Sequence, residues 1–150
     1  MGARVAGGRG QAVLFLCADY VDDYEANVPF RALAGVGCRV EAACPTKRKG
    51  ECLLATRGEA VALVREFAGK GKVVASIDQG HLLLAAVGLL DGRSCASGVA
   101  TRVVAGLAGA ASVRHGGAVA DGKLVTAASW PDLAEFIAHI ISLLGITVSF

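Results

Sequence analysis

Asp78 occupies the position in this sequence where chemistry is most strongly indicated. Residues 73–77 have the character of a buried strand and residues 81–86 that of a helix, with only Asp78, Gln79 and Gly80 between them. So short a strand-to-helix turn projects one side chain at the carboxyl end of a parallel sheet and directs helix N–H groups to the same point. Open α/β sheets carry their sites at that edge.

A second carboxyl, Glu25, closes an acidic stretch that follows the first apolar run, residues 12–17. If Glu25 and Asp78 lie side by side, they cannot both ionise freely, so one has a raised pKa and can act as a general acid or base. The alternative is that Glu25 is an exposed loop acid. Asp78 needs no catalytic role either, because Asp tolerates a strained turn and suits a helix N-terminus.

The other polar candidates offer weaker chemistry. Gln79 cannot transfer a proton at neutral pH. We call the turn at residues 78–80 the elbow. His81 lies one turn into the helix that follows it, where we predict a surface or capping role rather than a catalytic one. His115, in the sequence Arg114-His115-Gly116-Gly117, is assigned no role, whereas His139 falls inside the last helix and is predicted to be structural.

Composition restricts the class of protein. The chain has 150 residues, a net charge of +2 and 19% charged residues, which suits one globular domain and gives no indication of nucleic-acid binding. No apolar run is long enough to predict a membrane span. The five cysteines are odd in number and form no C-x-x-C pair, so we expect reduced thiols in an intracellular protein, with no disulfide framework and no zinc or other metal site.

The hydrophobic pattern alternates between strand and helix, which predicts a doubly wound, mainly parallel α/β sheet with helices on both faces. Residues 1–11 are predicted to be a flexible lead-in and residues 12–150 a single α/β domain. Residues 45–56 carry no convincing element. We predict strands at 12–17, 38–44, 72–77 and 93–97, a hairpin over 119–127 turning at Asp121-Gly122, and helices at 27–34, 59–68, 81–90, 99–107 and from Ser129 to about 144.

Several segments together resemble the PfpI / Parkinsonism-associated deglycase family, within the class I glutamine amidotransferase-like superfamily, and most of all its plant glyoxalase-III-like branch. The resemblance covers nearly all of residues 12–146. It is carried by residues 14–33 (LFLCADYVDDYEANVPFRAL), 64–67 (VREF), 75–77 with Gly80, 91–95 (DGRSC), 121–128 (DGKLVTAA) and 135–137 (EFI).

The resemblance implies a flavodoxin-like fold, dimers, and cofactor-independent conversion of methylglyoxal or related small carbonyls, a chemistry associated with stress responses. In that family a nucleophilic cysteine sits on the elbow in an Ile-Cys-His-Gly pattern, beside a glutamate that matches Glu25. Here the cysteine position holds Asp78 and the histidine position holds Gln79. The family's third strand and its Pro-Gly-Gly oxyanion loop also have no counterpart, with the join near Gly50-Glu51.

We therefore expect a flavodoxin-like fold missing one central strand, in a divergent member that is catalytically inactive and has a binding, regulatory or dimerisation role. The alternative is a glyoxalase- or deglycase-like enzyme that uses the Glu25/Asp78 carboxylate pair. The expected partners are a small carbonyl ligand and a second copy of the chain or a full-length relative. Neither nucleic acid nor a membrane is expected, and the expected compartment is the cytoplasm or the nucleus.

Overall fold

The computed structural model describes residues 3–18, 21–43 and 54–150. The strands in these ranges are β1 (Arg4–Ala6), β2 (Ala12–Leu16), β3 (Arg39–Ala43), β4 (Val74–Ile77), β5 (Ser94–Ser97), β6 (Ser112–His115), β7 (Ala118–Asp121), β8 (Leu124–Ala127) and β9 (Thr147–Ser149). The α-helices are α1 (Asp23–Gly35), α2 (Gly58–Gly69), α3 (His81–Val87), α4 (Val99–Leu107) and α5 (Leu133–Leu143).

Parallel pairing dominates, as the alternation of strand and helix predicts. Strand β2 pairs with β3, β4 with β8 and β5 with β6, each in parallel, while β7 and β8 form an antiparallel hairpin. The predicted hairpin is confirmed, but its two connecting residues are Gly122 and Lys123, since Asp121 still pairs with Leu124. Gly122 has a φ of +58°, a conformation that favours glycine.

Helices cover both faces of the sheet, which confirms the doubly wound architecture. Alternate residues of β8 point to opposite sides, so Val125 belongs to one core cluster and Leu124 to the other. The first cluster includes Leu33 from α1 and Phe136 from α5, and the second includes Leu84 from α3. Burying both faces explains why the strands read as continuous apolar runs.

The sheet is interrupted between β2 and β4. Within the described residues, β2 pairs only with β3, and β4 pairs only with β8. These two strands nevertheless share one core cluster, to which β2 contributes Phe15 and β4 contributes Ile77. Among the residues that the structure describes, the predicted loss of a central strand therefore leaves two open edges instead of a direct β2–β4 pair.

Some boundaries differ from the sequence prediction. Helix α1 begins at Asp23, four residues before the predicted start, because Asp22 rather than Asn27 caps it. Strand β1 lies inside the predicted flexible lead-in and pairs with β9 through Val5 and Val148, so part of that stretch has regular structure. Strand β6 follows α4 without a clear strand pattern in the sequence.

The segment predicted to lack an element, residues 45–56, falls outside the described residues up to position 53. Its last three residues, Leu54–Thr56, form a 3₁₀ turn before α2. Across the ranges that the structure covers, no helix is long and apolar enough to cross a membrane.

Candidate active site

Strand β4 ends in the sharp turn that the sequence predicts. Asp78 begins a 3₁₀ turn, Asp78–Gly80, and has a φ of +46°, which makes it the non-glycine residue with a positive φ in the described chain. Helix α3 follows at once from His81. A Cβ at Gly80 would lie 2.7 Å from Ser76 Oγ, so a larger residue here would have to displace the Ser76 side chain. The backbone therefore has the strained elbow of a nucleophile position, with a carboxylate on it.

Glu25 reaches the same region from the first turn of α1. The Asp22 carboxylate caps this helix by accepting a hydrogen bond from the Tyr24 N–H at 2.8 Å, which places Glu25 on the inner face. Glu25 is buried, with 8% of its surface exposed. The alternative interpretation, in which Glu25 is an exposed loop acid, is therefore wrong.

The structure brings Glu25 and Asp78 close enough to interact. Burial is the largest of the effects that raise the pKa of Glu25, and the charges of Asp78 and Asp22 raise it further. A hydrogen bond from the Trp130 backbone partly opposes these effects, and the resulting pKa is about 7. A buried carboxyl with a like charge beside it binds its proton more tightly. The Glu25 carboxyl can therefore take or give a proton near neutral pH.

His81 does not have the predicted surface or capping role, because its ring is completely buried. Its Nε2 lies 2.7 Å from the Ala96 carbonyl oxygen in β5, and its Nδ1 lies 2.8 Å from the Asp78 carbonyl oxygen and 3.3 Å from Ser76 Oγ. The ring thus ties the elbow to the neighbouring strand. His81 is a positioning residue for Asp78 and does not face solvent.

The protonation of His81 is coupled to the elbow. Burial lowers the pKa of His81, while the two carbonyls and the charge of Asp78 oppose that shift. A neutral imidazole has one N–H and can donate to only one carbonyl. With the proton on Nε2 the ring donates to the Ala96 carbonyl, and with the proton on Nδ1 it donates to the Asp78 carbonyl.

The remaining candidates lie apart from this pair or lack suitable chemistry. Gln79 is exposed on the elbow. His115 is an exposed residue whose ring lies 3.2 Å from Arg102 Nη1, and His139 lies within α5 as predicted. Within the described ranges, no group of three His, Cys, Asp or Glu side chains could hold a metal ion.

Sequence reasoning missed two aromatic residues beside Glu25. The rings of Tyr24 and Trp130 lie 5.8 Å apart between centroids, and both side chains are more than half exposed. Trp130 also supplies the backbone hydrogen bond to Glu25. The position of Tyr24 next to Glu25 is the only signal in the sequence, whereas the contribution of Trp130 depends on tertiary packing.

A model of the DJ-1/PfpI family matches residues 50–143, which is well over half of the chain. The chain belongs to the DJ-1/PfpI family. This confirms the resemblance seen in the sequence. The match begins at residue 50, close to the join predicted near Gly50-Glu51.

Two Arabidopsis thaliana proteins of the family align with nearly the whole chain. DJ-1 protein homolog E is 40% identical over 93% of this chain and 47% of its own length, and DJ-1 protein homolog F is 35% identical over the same shares. The chain therefore spans about half the length of these relatives.

The same alignments reveal an internal deficit. Homolog E aligns over 188 residues, yet 93% of this 150-residue chain is about 140 residues, so about 48 residues of the relative have no counterpart here. The difference agrees with the segment predicted to be missing. It also agrees with the interrupted sheet.

Solved structures give the same fold at lower sequence identity. The two-domain protein from Anabaena variabilis that contains DJ-1/ThiJ/PfpI-like and ferritin-like domains has a TM-score of 0.82 and 22% identity, over 90% of this chain and 48% of that one. Drosophila melanogaster DJ-1beta has a TM-score of 0.78 and 18% identity, over 90% and 91% of the two chains. The fold of the family is thus preserved around the interruption.

Proposed function

We propose that this chain is a catalytically inactive member of the DJ-1/PfpI family that acts through binding. The single observation that carries the proposal is the side chain on the elbow. The family resemblance expects a cysteine nucleophile at this position, and the chain has Asp78. A carboxylate is a poor nucleophile towards a carbonyl unless it is specially activated.

The surrounding chemistry supports the same proposal. Gln79 stands where a histidine is expected and cannot transfer protons. Burial raises the pKa of both the Cys38 and the Cys95 thiols, so neither is a substitute thiolate at neutral pH. The binding role that we propose is association with a small carbonyl compound without turnover, with a second copy of the chain or with a full-length relative.

A second candidate function rests on the pKa of Glu25. Because that pKa is about 7, Glu25 could act as an acid or base on a small carbonyl such as methylglyoxal, with Asp78 as its charged partner. This candidate is a glyoxalase- or deglycase-like enzyme without a cofactor. Unlike the first candidate, it requires the Asp78 carboxylate for activity.

Methylglyoxal turnover distinguishes the two functions. The purified chain is assayed beside Asp78→Ala and beside Asp91→Ala, a control that removes an exposed carboxylate from a loop outside the site. We expect no turnover above buffer in any of the three proteins. Turnover that disappears in Asp78→Ala and persists in Asp91→Ala would overturn the inactive assignment in favour of the carboxylate pair.

A double substitution, Asp78→Cys with Gln79→His, tests what else the site lacks. It restores the side chains that the family resemblance expects on the elbow. We expect little recovery of turnover, because the segment expected to supply oxyanion-binding N–H groups has no counterpart in this chain. Strong recovery would show that the elbow substitutions alone account for the loss of activity.

A further inference from the structure

We propose that the open edges of β2 (Ala12–Leu16) and β4 (Val74–Ile77) bind a short apolar segment of another polypeptide as a parallel β-strand. This inference rests on the proposed binding role and names the chemistry of the partner. Three features of the described residues support it: the direction of the free backbone groups, the shared core and the composition of the edges. The number of residues that this chain lacks relative to DJ-1 protein homolog E supports it as well.

The hydrogen bonds show which backbone groups face outward from each pair. The Cys17 N–H donates to Ala43 and the Gln11 carbonyl accepts from Arg39, so the odd-numbered residues of β2 bond to β3. In a parallel pair, alternate residues direct both backbone groups to opposite sides. The N–H and C=O of Leu14 therefore face the open edge.

Strand β4 has the same arrangement on its free side. The Val74 N–H donates to the Lys123 carbonyl at the start of the ladder with β8. The backbone groups of Ala75 and Ile77 consequently face away from β8. An incoming strand would find N–H and C=O groups on both sides, as the central strand of a parallel sheet does.

The two edges lie over one core and run in the same direction. Phe15 of β2 and Ile77 of β4 pack against the same apolar cluster. Glu25, which follows the carboxyl end of β2, interacts with Asp78, which follows the carboxyl end of β4. A strand parallel to both would thus continue the existing sheet and end beside this carboxylate pair.

The composition of the edges indicates the chemistry of the strand. Neither β2 (AVLFL) nor β4 (VASI) contains a charged residue or a proline, the features that usually protect an exposed edge. The outer partner β3, by contrast, exposes Arg39 and Glu41. An apolar segment rich in β-branched residues suits these edges, because central parallel strands are apolar on both faces.

The residues that this chain lacks relative to homolog E are numerous enough to include a β-strand. About 48 residues of DJ-1 protein homolog E have no counterpart in this chain. A strand needs about five or six residues, so that segment is ample to contain one. The segment of homolog E made of these unmatched residues is therefore a probe that is long enough to supply one strand and comes from the same family.

The test uses amide hydrogen exchange of the full chain, at a dilution where sedimentation shows a monomer. A synthetic peptide with the sequence of that homolog E segment is added, and a scrambled peptide serves as the control. We expect the Leu14 and Ala75 amides to exchange rapidly in the free chain and to slow at least tenfold with the peptide. The Val74 amide, already bonded to Lys123, should change little.

A matched pair of variants locates the binding. Leu14→Lys places a charge on the open edge, and Ala43→Lys places the same charge on exposed β3. We expect at least a tenfold loss of peptide affinity for Leu14→Lys only, measured by fluorescence anisotropy of the labelled peptide. If Leu14→Lys fails to fold, the exchange data on the unmodified chain still decide the question.

Three results would overturn the inference. The first is slow exchange at Leu14 and Ala75 in the free monomer, which would mean that the edges are already covered. The second is equal binding of the scrambled peptide. The third is protection that arises from self-association without peptide, which would make a second copy the occupant. None of these involves turnover, so failure here is distinguishable from failure of the inactive assignment.

Discussion

Glu25 has a pKa near 7 because it is buried beside two other carboxylates, and this makes the stability of the fold depend on pH. The folded pKa lies above the ordinary value of 4.5. The stabilising contribution of the protonated group is therefore fully present below about pH 4.5 and is lost as the pH rises through about 7. At alkaline pH the folded chain must hold a buried negative charge next to Asp78.

Glu25→Gln should remove this penalty, since glutamine is a neutral analogue of the protonated acid. We expect the melting temperature of the variant, relative to the unmodified chain, to be clearly higher at pH 8 than at pH 5. The control Glu59→Gln removes an exposed carboxyl outside the site and should show no such dependence. A Glu25→Gln effect that is equal at both pH values would contradict the buried, coupled state of Glu25.

Side chains connect β5 to the hairpin formed by β7 and β8. The Ser94 N–H donates to Asp121 Oδ2 at 2.8 Å, and the Ala96 N–H donates to Thr126 Oγ1 at 2.9 Å. In the described residues, the backbone ladder of β5 is formed with β6 alone. These two side chains therefore satisfy the half-buried N–H of Ser94 and the buried N–H of Ala96, neither of which bonds to β6.

Thr126→Val tests this arrangement because valine has nearly the same shape and no hydroxyl. Thr126 is fully buried, so the substitution leaves the Ala96 N–H unpaired. We expect a loss of about 1–3 kcal/mol in the free energy of unfolding, measured with urea. Thr147→Val on exposed β9 is the matched control and should change it little. Equal effects of the two substitutions would mean that the hydroxyl of Thr126 contributes no specific stability.

The sequence predicts some secondary-structure boundaries accurately and others not. Helix α4 was predicted with its observed limits, and the elbow at Asp78 was found because apolar runs on both sides confine the turn to three residues. The start of α1 was missed because Asp22 competes with Asn27 as a cap, and both residue types favour that position. Local pattern cannot choose between two good caps.

The site was only partly accessible from sequence for a different reason. The proximity of Glu25 and Asp78 follows from strand order, which the family resemblance supplied. The buried position of His81 depends on a carbonyl 15 residues away, in β5. A histidine on the first turn of a helix gives no local signal of such a partner, because the contact is created by packing.

Helix α4 presents an exposed apolar surface to solvent. Val99, Val103 and Leu107 recur every four residues and are 82%, 62% and 85% exposed, so they form an apolar row on the solvent side of the helix. Contiguous exposed apolar surface commonly marks an interaction site. We therefore expect this row to favour self-association of the chain at high concentration.

Val103→Lys with Leu107→Lys should reduce self-association, because two charges then interrupt the row. We expect the unmodified chain to show a concentration-dependent sedimentation coefficient and the double variant to remain monomeric over the same range. Melting temperatures at low concentration should agree closely, since these side chains are already solvated in the folded monomer.

Ala134→Lys with Ala138→Lys adds the same charge to exposed positions of α5 and should leave association unchanged. If both double variants suppress association equally, net charge and not the apolar row is responsible, and if the unmodified chain stays monomeric throughout, the row does not drive association.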